Sequence, residues 1–265
     1  MSKLYLVPAK TDMERMCRLA DEYDCAFEYN DFYLPKVLDD PESQAEIIKY
    51  YNNYRKSFIN DTMHGAFLDV TIHSSDPLIR EASALRLKQS MEIAKRMGLR
   101  GVVFHTGRIA GFLEPVYLAN WEKMNVEFFT KLAETYPDQQ IYMENMFDEA
   151  PDIMAKLAEK MQGVENFGIC LDYAHAIISG TPGKEWIDAL APYIKHMHIN
   201  DNDLRNDLHR PVGSGSIDWN EFDSLVRKYG INAPVLVEVN GCEAQKKSLE
   251  YMKQYGIYPM DKKEI

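Results

Sequence analysis

Short apolar runs recur along the whole chain and alternate with longer segments whose apolar residues return every three or four positions. Bounded runs of four to eight apolar residues are typical of buried strands, and the longer periodic segments are typical of amphipathic helices. The predicted helices include 78–97, with Leu85, Ile93 and Ala94 on its buried face, and 115–136. Eight runs have strand character, at residues 4–8, 25–29, 65–72, 101–105, 141–145, 167–172, 194–199 and 234–239.

The alternation of strands and helices predicts the fold class. Strands that are apolar on both faces and followed by helices indicate a parallel sheet covered by helices. Eight such units in 265 residues average about 33 residues each, close to what one parallel crossover requires. No linker or change of composition divides the chain. The pattern therefore predicts one domain, residues 1–265, folded as an α/β protein of the (β/α)8 barrel type.

Composition and charge limit the kinds of partner that the chain can be expected to bind. The chain has 41 acidic and 30 basic residues and a net charge of −11, which opposes capture of a polyanion and disfavours nucleic acid. The four cysteines form no CxxC pair, so neither a disulfide framework nor a thiolate zinc site is expected. No apolar stretch resembles a signal peptide or a membrane helix of about 18 residues. We expect a cytoplasmic protein without a membrane partner, and the pattern leaves assembly into a homo-oligomer open.

Ionisable side chains collect where the predicted strands end. In a barrel of this type the carboxyl ends of the strands carry the chemistry. A lone histidine at such a place is more often a hydrogen-bonded core residue than a ligand, but a whole cluster of buried carboxylates and imidazoles needs compensation, which a bound cation provides. The residues concerned are Glu28, His73, His105, Glu144, Asp172, His175, His198 and Glu238, with Asp207 and His209 in the loop after the seventh strand.

Four of these residues are the best candidates for one divalent ion. Glu144, Asp172, His198 and Glu238 end strands five to eight, which closure of the barrel brings together. Imidazole and carboxylate without thiolate suit Zn, Mn, Fe or Co. We predict one to three divalent ions in all. The remaining residues would contact the substrate or bind further ions, and they are His73, His105, His175, Asp207 and His209.

Other side chains are candidates for substrate contacts. Phe32 and Tyr33 lie in the loop after the second strand, where aromatic rings either cover a small substrate or anchor the loop. Arg108 and Arg210 either hold a phosphate or carboxylate or remain solvated at the surface, and Arg205 has the same two alternatives. His196 alternates with His198 on one strand and is predicted to be a core histidine below the site.

Several motifs resemble the xylose isomerase-like TIM barrels, which include sugar isomerases and epimerases, inosose dehydratases and the endonuclease IV group. The resemblance extends from Tyr5 to Glu238, and its most specific segments are FHTG (104–107), MEN (143–145), LDYAH (171–175), 196–219 and LVEV (236–239). By similarity to the epimerases, Glu144, Asp172, His198 and Glu238 would hold one ion. Glu144 and Glu238 would also be the acid and base, with the metal stabilising an enediolate.

The resemblance leaves three functions open. The first is a metal-dependent isomerase or epimerase acting on a small sugar, sugar phosphate or polyol. The second is a multinuclear zinc phosphodiesterase similar to endonuclease IV, which binds three zinc ions through nine residues. The third is a sugar-binding barrel without catalysis. Candidates for the nine ligands are His73, His105, Glu144, Asp172, His175, His198, Asp207, His209 and Glu238. Acidic loops with few basic residues favour the first function over a duplex-binding enzyme.

Overall fold

Eight parallel strands close into a barrel in the computed structural model, which describes residues 3–261. Each strand pairs with its neighbours in chain order, and β1 pairs with β8 to complete the ring. The strands are β1 (Leu4–Leu6), β2 (Cys25–Tyr29), β3 (Thr62–His64), β4 (Gly101–His105), β5 (Gln140–Glu144), β6 (Phe167–Asp172), β7 (Ile194–Ile199) and β8 (Val235–Val237). The predicted α/β barrel is confirmed.

Helices surround the barrel and cover the outer faces of the strands. Three tryptophans on these helices, Trp121, Trp186 and Trp219, are buried. Across residues 3–261, no helix is both long and apolar enough to cross a membrane. The helices are α1 (Met13–Tyr23), α2 (Pro35–Leu38), α3 (Pro41–Asn52), α4 (Pro77–Met97), α5 (Pro115–Thr135), α6 (Asp152–Lys160), α7 (Tyr173–Ile178), α8 (Gly183–Leu190), α9 (Trp219–Lys228) and α10 (Cys242–Tyr255), with a short 3-10 helix at Lys10–Asp12.

Local capping chemistry marks where two of the helices that follow the barrel strands begin. The Asp76 and Asp218 side chains accept hydrogen bonds from backbone N–H groups in the first turns of α4 and α9. Proline occupies the first turn of α4, where no N–H is needed. The predicted helix 78–97 is confirmed, although Leu85 is exposed while Ile93 and Ala94 are buried.

The third strand was predicted at the wrong place. Residues 65–72 were expected to form it, but β3 is Thr62–His64 and 65–72 form a loop over the barrel mouth. The loop begins at Gly65, directly after the strand. A side chain at this position would not fit, because a Cβ would lie 2.2 Å from the Phe104 ring. In this loop Ala66 and Ile72 are buried while Leu68 is exposed, so an apolar run did not mean a strand here.

Candidate metal centre

The carboxyl ends of the strands open into a cavity of about 440 Å³. Its charged and titratable lining consists of His64, His105, Glu144, His175, Asp207, His209 and Glu238. Tyr33 and Phe67 form one apolar wall, with ring centroids 5.0 Å apart. Among the residues that line it, none is lysine or arginine. The cavity therefore offers metal-ligand chemistry without a permanent positive charge.

The four residues predicted to hold one ion do converge. Glu144, Asp172, His198 and Glu238 each place a ligand atom within 4.8 Å of the others. Strand register explains part of this, since Asp172 pairs directly with His198 across β6 and β7. Nδ1 of His198 lies 3.1 Å from Oε1 of Glu144 and 3.4 Å from Oε2 of Glu238. All four come from strand ends or the residue just beyond, as the sequence suggested.

Among residues 3–261 there are three other groups of possible ligands, and two of them, the flanking groups, contain only imidazole and carboxylate donors. His64, His105 and Glu144 form one of them, and His175, Asp207 and His209 form the other, each with ligand atoms within 4.8 Å. Glu144 belongs to both the first flanking group and the central group. Three adjacent groups built from nine residues are therefore present, and their imidazole and carboxylate donors suit zinc and related divalent ions.

Backbone carbonyls fix the orientation of three of the histidines. In each, Nδ1 lies 2.8–3.0 Å from a carbonyl oxygen, which can only accept, so Nδ1 carries the hydrogen. The Nε2 atoms are then left for the cavity, as in histidines that bind metals. The pairs are His64 with the carbonyl of Gly65, His175 with that of Asn145, and His209 with that of Glu238.

Several buried oxygens in these groups have no hydrogen-bond partner among residues 3–261. They are Oε2 of Glu144, Oδ2 of Asp172, Oδ1 of Asp207 and Oε2 of Glu238. A buried carboxylate oxygen without a donor is costly, and a bound cation is the ordinary way to compensate it. The residues present therefore fit a divalent metal.

In the metal-free protein, protons on the histidines supply the positive charge that a bound ion would otherwise supply. Burial favours neutral imidazole at His198, but Cys170 and the carboxylates of Glu144, Glu28 and Glu238 hold its pKa well above the usual range. At His209, burial is likewise outweighed, here by Asp207 and Glu238, and the pKa rises to about 10.

The carboxyl of Asp172 is the hardest of the group to ionise. Burial raises its pKa to about 7, with the negative charges of Glu144 and Glu238 adding to the effect and His175 opposing it. Burial also opposes ionisation of Glu144, yet His198 and His105 bring the pKa of that carboxyl well below its usual range. Metal binding must therefore displace protons from several of these groups.

His73 is not at the metal centre, contrary to the sequence-based expectation. Its Nε2 lies 2.9 Å from the hydroxyl of Tyr117, and its backbone carbonyl accepts a hydrogen bond from Asn120. The error follows from the misplaced third strand, since His64 and not His73 ends β3. His64 was missed, although it directly precedes a glycine and an apolar run, and its Nε2 lies 3.0 Å from that of His105.

Four of the five candidates for substrate contacts, among them the exposed Arg205, do not line the cavity. Phe32 is fully buried in the core, and Arg210 is exposed and pairs through its backbone with Asp201. Arg108 has a buried side chain that forms ion pairs with Asp148 and Glu149. Tyr33 does line the cavity.

Buried side chains hold the loops that carry the ligands. Asn145 exchanges two hydrogen bonds with the backbone of Asp172, at 2.8 and 2.9 Å. The Asp201 carboxylate accepts from the backbone N–H groups of Gly213 and Ile217 and from the indole of Trp219, at 2.9, 3.2 and 2.9 Å. This carboxylate closes the loop on which Asp207 and His209 lie. Asp201 lies in the segment 196–219 that carries the family resemblance, but no role was predicted for it.

The chain belongs to the xylose isomerase-like TIM barrel family, whose model matches residues 12–255. The match covers every strand from β2 to β8 and all the residues of the metal centre. The fold and the family expected from the sequence are therefore confirmed together.

The curated relatives and the solved structures to which this chain is similar have different names. A probable endonuclease 4 of Mycobacterium leprae is 28% identical, over 72% of this chain and 77% of its own. A D-tagatose 3-epimerase-like protein has a TM-score of 0.73 at 21% identity, with 96% of each chain covered. A structure of the IOLI protein with a bound zinc atom has a TM-score of 0.73 at 20% identity, covering 97% of this chain and 100% of that one. The two structures share the fold with this chain.

Proposed function

We propose that this protein is a divalent-metal-dependent hydrolase of phosphate esters that binds up to three ions. The observation that carries the proposal is the set of three adjacent ligand groups around one cavity, two of which share Glu144. The probable endonuclease 4 relative supports it, because the resemblance to that group implies nine ligands for three zinc ions. With His64 in place of His73, all nine candidate positions belong to these three groups.

A single ion would leave much of this cluster without a role. The central group alone supplies the three or four protein ligands that a catalytic ion requires. His64 and His105 on one side, and His175, Asp207 and His209 on the other, are additional. Their Nε2 atoms are turned inward by backbone contacts at Nδ1 in three cases, which is the arrangement of ligands rather than of packing histidines.

Different residues of the cavity would contact different parts of a substrate. Divalent ions held there would stabilise the negative charge that develops on the phosphate oxygens. The chain supplies no lysine or arginine to the lining for this purpose. Asn30 and Asn240 offer amide groups to the polar part of a substrate, and the wall of Tyr33 and Phe67 offers a surface for an apolar or planar part. Glu238 faces the cavity and can accept a proton.

A second candidate is the isomerase or epimerase of a small sugar, sugar phosphate or polyol. Glu144 and Glu238 both line the cavity, and their ligand oxygens lie within 4.8 Å of each other. Two carboxylates so placed could remove a proton from a substrate carbon and return one. The epimerase-like neighbour supports this alternative.

Metal content separates the two candidates. Protein purified without chelator is analysed for metal per chain, then stripped, reloaded with Zn, Mn or Co, and assayed on bis(p-nitrophenyl) phosphate, an abasic-site duplex and a panel of ketoses and polyols. Two or three ions, with metal-dependent release of p-nitrophenol, would support the hydrolase. About one ion and conversion of a sugar would support the epimerase instead. Full phosphodiesterase activity after complete metal removal would contradict the proposal.

Glu238→Gln tests the acid and base role directly. In the epimerase, this variant should stop incorporation of solvent deuterium into the substrate while metal binding is partly kept. Unchanged deuterium incorporation would exclude that role for Glu238. The conservative change keeps the side-chain volume, so the fold at the barrel mouth is a matched background for the comparison.

A further inference from the structure

Below the metal centre, the barrel interior holds a carboxylate that the proposed chemistry does not use. Glu28 is on β2, is fully buried and does not line the cavity. Its Oε2 accepts a hydrogen bond from the hydroxyl of Thr62 at 2.7 Å and lies 3.0 Å from Nε2 of His196. Its Oε1 lies 3.0 Å from Nε2 of His198.

His198 differs in orientation from the other histidines of known orientation. In His64, His175 and His209 a backbone carbonyl contacts Nδ1, and Nε2 faces the cavity. In His198 the arrangement is reversed, because Nδ1 faces Glu144 and Glu238 while Nε2 faces Glu28. The Glu28 side chain thus stands where the backbone carbonyl stands for the others.

We infer that Glu28 is a positioning residue that holds His198 in the form required to bind the central ion. Only Nδ1 of His198 can join Glu144, Asp172 and Glu238, so the hydrogen of the neutral ring must be on Nε2. Oε1 of Glu28 and Nε2 of His198 lie 3.0 Å apart, at ion-pair distance, and neither atom makes a hydrogen bond with another group among residues 3–261. A carboxylate behind a ligand histidine fixes its tautomer and raises its basicity.

The neighbours of Glu28 fix its carboxylate in turn. Thr62 pairs with Glu28 in the register of β2 and β3, which brings its hydroxyl to Oε2. The His196 ring is held between Tyr5, edge-on at 5.2 Å, and Tyr142, stacked at 5.0 Å. With Oε2 engaged by Thr62 and His196, Oε1 is left for His198. His196, which was predicted to be a core histidine, thus helps to hold the carboxylate of Glu28.

Glu28→Gln tests the inference, which rests on the metal binding in the proposed function. Zinc affinity is measured on the full chain by competition with a chromophoric chelator, and the Co²⁺-loaded protein is compared by its visible absorption. The variant should bind one of its ions about 10–100-fold more weakly than the unsubstituted protein. The ion at His175, Asp207 and His209 should be retained.

Asp223→Asn is the matched control. Asp223 is another buried carboxylate, which accepts hydrogen bonds from Arg227 and from the backbone of Tyr258, away from the metal centre. The Asp223→Asn variant should have the same zinc affinity as the unsubstituted protein. Equal losses in both variants would assign the effect to the fold and overturn the inference. Unchanged affinity in Glu28→Gln would overturn it while leaving the proposed function intact.

Two further outcomes complete the test. If Glu28→Gln does not fold, Thr62→Val removes one donor to Glu28 and should weaken the same ion by less than about 10-fold. No change there would count against the inference. Absence of any divalent-metal binding by the unsubstituted protein would overturn both the inference and the proposed function.

Discussion

The Nε2 atoms of His64 and His105 lie 3.0 Å apart at the ends of adjacent strands. Without an ion, one nitrogen must donate to the other, and both also approach Oε2 of Glu144, at 3.5 and 3.3 Å. These two imidazole nitrogens and this carboxylate oxygen are the kinds of donor that a divalent ion would bind. This relationship, which the sequence pattern did not predict, moves the hydrolase ahead of the epimerase.

His64→Ala should remove about one ion per chain, because the flanking group then keeps only His105 and Glu144. His73→Ala is the matched control, since His73 contacts Tyr117 and not the metal centre. Elemental analysis of both variants, purified in parallel without chelator, measures the difference. Equal metal content in His64→Ala and the unsubstituted protein would mean that this group binds no ion.

Metal-free protein should become less stable as the pH rises from about 7 to about 9. The folded-state pKa of His209, about 10, is above the ordinary 6.5, so its stabilising contribution is complete below about 6.5 and is lost as the pH passes 10. His209 by itself contributes at most about 1.4 kcal/mol per pH unit to this slope, which is the effect of one proton.

Urea unfolding in the presence of chelator, at several pH values, measures this dependence. His209→Gln should flatten it, because the shifted group is gone. Saturating zinc should also reduce it, since bound ligands have already released their protons. A slope in His209→Gln equal to that of the unsubstituted protein would assign the pH dependence to other groups.

Asp201→Ala should destabilise the metal-free protein by at least about 3 kcal/mol, because it leaves several buried donors without an acceptor. The loop that carries Asp207 and His209 should loosen, and zinc content should fall. Asp203→Ala is the control in the same loop, where an exposed carboxylate accepts from the backbone of Arg205. Urea unfolding and elemental analysis together report on both effects. If Asp201→Ala is destabilised but has normal zinc content, the hydrogen bonds of Asp201 stabilise the loop without being needed for zinc binding.

Arg108→Leu should cost stability rather than substrate affinity. Its buried guanidinium lies 2.9 Å from Asp148, and breaking a buried pair costs about 3–5 kcal/mol. Since Arg108 does not line the cavity, KM for the substrate found in the activity screen should be unchanged. Thermal unfolding and steady-state kinetics test this directly. A raised KM at unchanged stability would restore Arg108 as a substrate contact.

Particular segments show how far sequence reasoning reached. The runs 101–105 and 167–172 are bounded, apolar and followed by periodic segments, and they form β4 and β6 as predicted. The run 65–72 has the same appearance but is a loop, because β3 is three residues long and too short to show a period. That error carried His73 into the predicted site in place of His64.

The sequence by itself determined the barrel, because apolar periodicity is a local property that each segment carries alone. It also determined the residues at the ends of strands five to eight, and hence the central group of Glu144, Asp172, His198 and Glu238. Only the tertiary structure decided which nitrogen of each histidine faces the cavity. It also decided that Arg108 is tied to acidic partners and that Glu28 lies behind His198. Those facts depend on contacts between residues distant in the chain, and burial sets their energies.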